Sequence, residues 1–114
     1  MTIAGVPNNE LPVAGREFAE RFEERYLSPP RAFSVHNAQA AQILLDAIAS
    51  SDGSRANVTR QILRARVQDG LLGDFEFDRH GDTTLNAIGV YRIEEGQMRF
   101  KTVISAAAEQ VARR

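Results

Sequence analysis

The stretch Asp74–Gln97, DFEFDRHGDTTLNAIGVYRIEEGQ, decides how the chain folds. It holds Asp78, His80 and Asp82 within five positions, a grouping that reads either as a metal or catalytic site or as a turn. A calcium loop needs oxygen donors at alternate positions, a glycine at the sixth and a distant glutamate, and here arginine, histidine and an early glycine occupy those places. A hydrolytic site needs a second carboxylate or a nucleophile nearby, and none is present in the stretch. Aspartates that bond local backbone donors, beside a glycine free to adopt a left-handed conformation, fit a turn instead. Phe75 and Phe77 alternate around Glu76 before it, and Ile88 and Val90 alternate with Gly89 and Tyr91 after it. The reading is strand, turn, strand.

The next alternation, Met98, Phe100 and Thr102 against Arg99 and Lys101, makes another strand, joined to the previous one through Glu94-Glu95-Gly96-Gln97. Gly96 suits the positive φ of a short hairpin loop. Upstream of the strands the period changes to that of helices. Phe18, Phe22 and Tyr26 recur every four residues after Pro12, with Ser28-Pro29-Pro30 as the stop, and are expected in the core. A second helix is expected from about Val35 to Ser50, so rich in Ala, Leu and Ile that it should pack on more than one side. A third is expected from about Arg55 to Val67, with Ser54 as N-cap and Gln68-Asp69-Gly70 as the following turn. Thr2–Ala4 reads as a short extended piece, and residues 105–114 as a tail or short helix.

The 114 residues suffice for one small domain. A net charge of −1 gives no pull toward nucleic acid or an anionic membrane. The absence of cysteine excludes disulfides, thiolate metal sites and cysteine nucleophiles. No serine sits in a G-x-S-x-G setting and no phosphate-binding glycine loop is present, so neither an enzyme nor a bound cofactor or metal is expected. The N-terminus lacks the basic and apolar segments of a signal peptide. Three helices exceed what three strands can cover, which leads to the expectation that the chain is part of something larger or assembles with itself.

Two further places merit reading as sites. His36 and Asn37 stand where the second helix begins; they serve either as a polar contact to a ligand or as an N-cap with a solvated histidine. Phe33, in the loop after the two prolines, either lines a cleft or plugs the neighbouring core.

In order, the segments resemble type I periplasmic solute-binding proteins of the branched-chain amino-acid kind, also called extracellular ligand-binding receptors. LPVAGREFAERFEERYLSPP (residues 11–30) resembles their LP…F…F…Y…P stretch, and AFSVHNAQAAQILLDAI (residues 32–48) their A…YDA…VLLDAI helix. Gly70, Gly73, Phe77, Asp78, Gly81, Asp82, Val90, Tyr91 and Gly96 match the ending G…G…F-D-x-x-G-D…VY-x-V-x-x-G. The resemblance runs from about Ile3 to Ile104 and covers the C-terminal third of those proteins.

It implies an α/β fold class: a fragment of a two-lobe periplasmic-binding-protein-like fold, with helices over about 13–67 and then a β-strand and a β-hairpin over about 73–104. It also implies a non-catalytic receptor for a small polar, amino-acid-like solute, serving an ABC permease or a sensor, in a periplasmic or extracellular parent. Phe33 matches a position where some members place a ligand-facing aromatic; with His36 and Asn37, taken from their place at the start of the helix, it makes up the expected ligand-binding residues. Ala38-Gln39-Ala40 replaces the family's Tyr-Asp-Ala, which removes that tyrosine's contact. The family's main contacts to amino and carboxylate groups lie in segments outside the resemblance. The other expectation is a self-assembling interaction module, a homodimer through exposed strand edges and apolar helix faces.

Overall fold

The computed structural model describes residues 1–105. The expectation for a terminal tail or helix falls almost entirely outside them. Strand β1 (Thr2–Ala4) leads through a single 3₁₀ turn at Asn8–Glu10 into helix α1 (Val13–Tyr26), followed by α2 (Ser34–Ala49) and α3 (Arg55–Leu63). Four strands complete the chain: β2 (Arg66–Gly70), β3 (Gly73–Glu76), β4 (Ile88–Glu94) and β5 (Gln97–Ile104).

The strands make two antiparallel sheets, β2-β3 and β1-β4-β5. The second is built around the expected hairpin. Glu94 pairs with Gln97 across Glu95-Gly96, and these two residues have φ of 51° and 76°. Positive φ at both loop positions is the requirement of a type I′ turn, whose twist matches that of the flanking strands. β1 joins the other side of β4, with Ile3 opposite Val90 and Ala4 opposite Gly89.

The third helix is shorter than expected. It ends at Leu63, and Arg66–Gly70, read as helix end and turn, is a strand opposite β3. Pairing places Val67 against the buried Phe75 and Arg66 against Glu76, whose side chains make a 3.0 Å ion pair. That packing outweighs the modest helical preference of the segment. A register shift between Val67 and Gly70, with Asp69 at φ 49°, hid the strand's alternation. There are thus two hairpins, not one strand and one hairpin. The strands flanking Asp78–Asp82 consequently belong to different sheets.

Helices α1–α3 and the β2-β3 hairpin pack as one cluster. Its core is Ala19, Val35, Ile43, Ala47 and Phe75, with Leu11 beneath the start of α1. Gly15 and Ala19 are the buried residues of α1, and a side chain at Gly15 would collide with the Leu71 carbonyl in the β2-β3 turn. The aromatic stripe is less interior than expected: Phe18 and Phe22 are half-buried and Tyr26 is 62% exposed. The face is right, but the last turn of α1 runs beyond the elements that cover its first half.

On α2, Val35, Gln39, Ile43 and Ala47 form the buried stripe. Gln39 is the one buried polar side chain among the described residues, and its Oε1 accepts from the Leu72 amide at 3.4 Å. Leu44, Leu45 and Ile48, also expected to pack, are exposed.

Candidate functional site

The Asp78–Asp82 segment is a turn held by its own backbone. One carboxylate oxygen of Asp78 accepts from the amides of His80 at 2.8 Å and Asp82 at 3.0 Å. The Asp78 amide donates to the Asp82 carbonyl at 2.8 Å, and Gly81 adopts φ 85°. Phe77 and Thr83 bridge just outside it. The hydrogen bond from the His80 amide, with that from Asp82 and the nearby imidazole, holds the Asp78 carboxyl below its ordinary pKa. Its oxygen is committed to backbone donors, and no group of three or more metal-ligating side chains exists among the described residues.

The expected ligand residues lie elsewhere. The loop after β1, the start of α2 and the β4-β5 sheet line an open recess of about 340 Å³. Its lining includes Val6, Pro7, Phe33, His36, Tyr91 and Met98. Phe33 precedes the first residue of α2 in a left-handed conformation, φ 67°, which is uncommon for a side chain branching into a ring. That conformation turns the chain into the helix, and the Phe33 carbonyl accepts the Asn37 amide at 2.9 Å. The Phe33 ring meets the His36 imidazole edge-on, centroids 5.6 Å apart, and remains 62% exposed. It therefore lines an open recess and does not plug the core.

The structure brings Phe33 and His36 together and leaves Asn37 out of the lining. Asn37 sits inside the first turn of α2, so neither it nor His36 is the N-cap; Phe33 holds that position without a side-chain hydrogen bond. Tyr91 and Met98 were not expected in a site. Tyr91 enters because its hydroxyl donates to the Gly5 carbonyl at 2.8 Å, anchoring the loop that forms the cavity's other wall. Asn8 fixes the same loop from the other end, its side-chain amide donating to the Pro30 carbonyl at 3.0 Å. The result is a largely apolar recess that also includes an imidazole and a phenol in its lining.

No protein-family model matches the chain, and no curated protein matches it. Among solved structures, a leucine binding protein, LivK, from Thermotoga maritima is similar with a TM-score of 0.75 and 24% identity. The likeness covers 90% of this chain and 30% of that one. The chain has the α/β fold of part of a type I periplasmic binding protein. No helix of the described residues is long and apolar enough to cross a membrane.

Proposed function

We propose that the chain is part of a non-catalytic receptor for a small polar, amino-acid-like solute, working through closure of two lobes. The parent would reside in the periplasm or outside the cell and deliver its solute to an ABC permease or a sensor. The observation that supports this most is the fold likeness to a leucine binding protein over 90% of the chain. Phe33 and His36 would form one edge of the solute site, the ring apolar and the imidazole polar, while Asn37 would stand outside the recess they line. The chain spans 30% of that protein's length, and in a receptor of that length the groups that fix an amino acid's charged ends would lie on other segments.

Calorimetric titration with an amino-acid panel tests the reading in two stages. The chain alone is expected to show no binding tighter than about millimolar, a level worth only about 4 kcal/mol. Mixed with the complementary segments of the leucine binding protein, it is expected to bind a branched-chain amino acid, and Phe33→Ala to weaken that binding at least tenfold. Micromolar binding by the chain alone would show that its site is already complete. A folded assembly that binds no member of the panel would defeat the receptor reading.

A second reading, a homodimer, is favoured by the outer edge of β5. The sheet order β1-β4-β5 leaves that edge without a partner strand among the described residues. An unpaired edge is a template for a second copy. Light scattering distinguishes the two: a concentration-independent monomer rules the dimer out.

A further inference from the structure

A groove of about 670 Å³ runs between α2, the end of α3 and β2, and shares no lining residue with the recess at Phe33. Gln39 is the buried polar residue of its lining, 4% exposed. The Gln39 Oε1 accepts the Leu72 amide at 3.4 Å, which fixes which end of the carboxamide is oxygen. A Cβ at Gly70 would lie 2.6 Å from that oxygen, so the glycine leaves the room in which the side chain lies. The other end, Nε2, donates to nothing among the described residues. No buried side-chain nitrogen or oxygen among them lacks a partner, so this nitrogen opens on the groove. A buried carboxamide held at its oxygen, with its donor free, is placed to bond what enters.

The rest of the lining defines the class of molecule. Gln42, Gln61 and Gln68 add three carboxamides. The charged members are Asp46 and Asp69 against Arg64 and Arg66, so the lining carries no net charge. Two of these are already engaged: Asp46 accepts from Gln42 at 2.9 Å, and Arg66 pairs with Glu76 at 3.0 Å. A carboxamide offers a donor and an acceptor side by side, the same pair that a hydroxyl group offers in return. Four of them around one space match a molecule with several hydroxyls and no charge. Phe18, half-buried, adds an apolar patch for the carbon face of such a molecule. The volume lies within the roughly 300–1,000 Å³ of small-molecule sites. Another layer of the fold fits this groove badly, because it would strip water from these polar groups without replacing their hydrogen bonds.

We propose that the groove around Gln39 binds a neutral polyhydroxylated ring, a sugar or cyclic polyol, at a site separate from the Phe33–His36 recess.

Proton–nitrogen correlation spectra of the chain test this, with glucose, ribose and myo-inositol as probes and acetate and ethanolamine as singly charged controls. At least one polyol is expected to shift the Leu72 amide and the Gln39 side-chain amide, saturating within about 0.1–10 mM. The two ions are expected to leave both signals in place. Gln39→Glu keeps an oxygen for the Leu72 amide and removes the free donor, and should weaken binding at least tenfold. Gln42→Ala/Gln61→Ala leaves the Leu72 bond untouched and should weaken binding at least threefold. That second variant decides the matter if Gln39→Glu loses its helical circular dichroism. No shift with any polyol, equal shifts with the ions, shifts confined to His36 and its neighbours, or undiminished binding by the folded variants would each overturn the proposal.

Discussion

The Tyr91 hydroxyl donates to the Gly5 carbonyl at 2.8 Å, across 86 residues of sequence. The bond ties the middle of β4 to the loop that follows β1, beside the Ala4–Gly89 pairing. Gly89 must be a glycine for the two to meet, since a Cβ there would lie 2.8 Å from the Gly5 oxygen and 2.9 Å from the Tyr91 ring. Tyr91→Phe keeps the ring and removes the donor, leaving a partly buried carbonyl without its partner. The expected cost is about 1–2 kcal/mol by urea denaturation. Amide exchange in Thr2–Ala4 should accelerate in the variant. Unchanged exchange there would mean that strand pairing alone holds β1.

A second prediction concerns helix α1. Gly15 lies against the Leu71 carbonyl, and an added methyl has no room because the obstacle is backbone. Alanine normally favours a helix over glycine by about 1 kcal/mol. At this position the sign should reverse, with Gly15→Ala destabilising by about 1–3 kcal/mol through overpacking. An increase in melting temperature would show that α1 and the β2-β3 turn separate easily.

The last two strands were legible in the sequence because alternation and Glu95-Gly96 act locally, on residues that are neighbours in the chain. The second strand of the fold's other hairpin was legible from Phe75 and Phe77, but its partner was not. Arg66–Gly70 shows a single inward apolar residue, Val67, before the register shift, and the preceding residues continue a helix pattern. Only the pairing with Phe75, a contact made in three dimensions, decides against the helix. The cavity was half legible for the same reason. Phe33 and His36 are near neighbours in the chain and were each singled out, on separate grounds, whereas Tyr91 and Met98 arrive through sheet pairing. The excess of apolar helix surface was visible in composition, and the structure locates it on one side of α2.

Acid should open the Asp78 turn. Its carboxyl is held below its ordinary pKa chiefly by the His80 amide. A carboxylate with a lowered folded-state pKa contributes stability above the unfolded value, about 3.9, and loses it as pH falls through the folded value. The turn is therefore fully formed at neutral pH and loosens only below about pH 4. Asp52, held down by the Ser54 hydroxyl and amide at the start of α3, should follow the same course. Carbon-detected NMR titration of both carboxyls checks this. An Asp78 midpoint at or above the ordinary value would contradict the turn's hydrogen bonding, and Asp78→Asn should abolish the acid-linked shift of the His80 amide.

The β4-β5 turn offers a pair of substitutions with opposite expected signs. Both loop residues have positive φ, Glu95 at 51° and Gly96 at 76°. Glutamate pays a steric penalty in that region, whereas asparagine tolerates it and leads at the first position of a type I′ loop. Glu95 also stands beside Glu94, whose carboxylate already engages Arg99 at 3.3 Å and Lys101 at 3.4 Å, so its charge is not needed to close the hairpin. Glu95→Asn should therefore stabilise by about 0.5 kcal/mol, a rise of a few degrees in melting temperature. Gly96→Ala should do the reverse. Nothing lies within 4 Å of a Cβ added at Gly96, so no collision contributes and the loss is that of backbone conformation alone, about 1 kcal/mol. Measured together by thermal denaturation, the two isolate the turn from the packing around it. Equal and small effects of both would mean that the ladder from Ile88 to Ile104, and not the loop, sets the register of this hairpin.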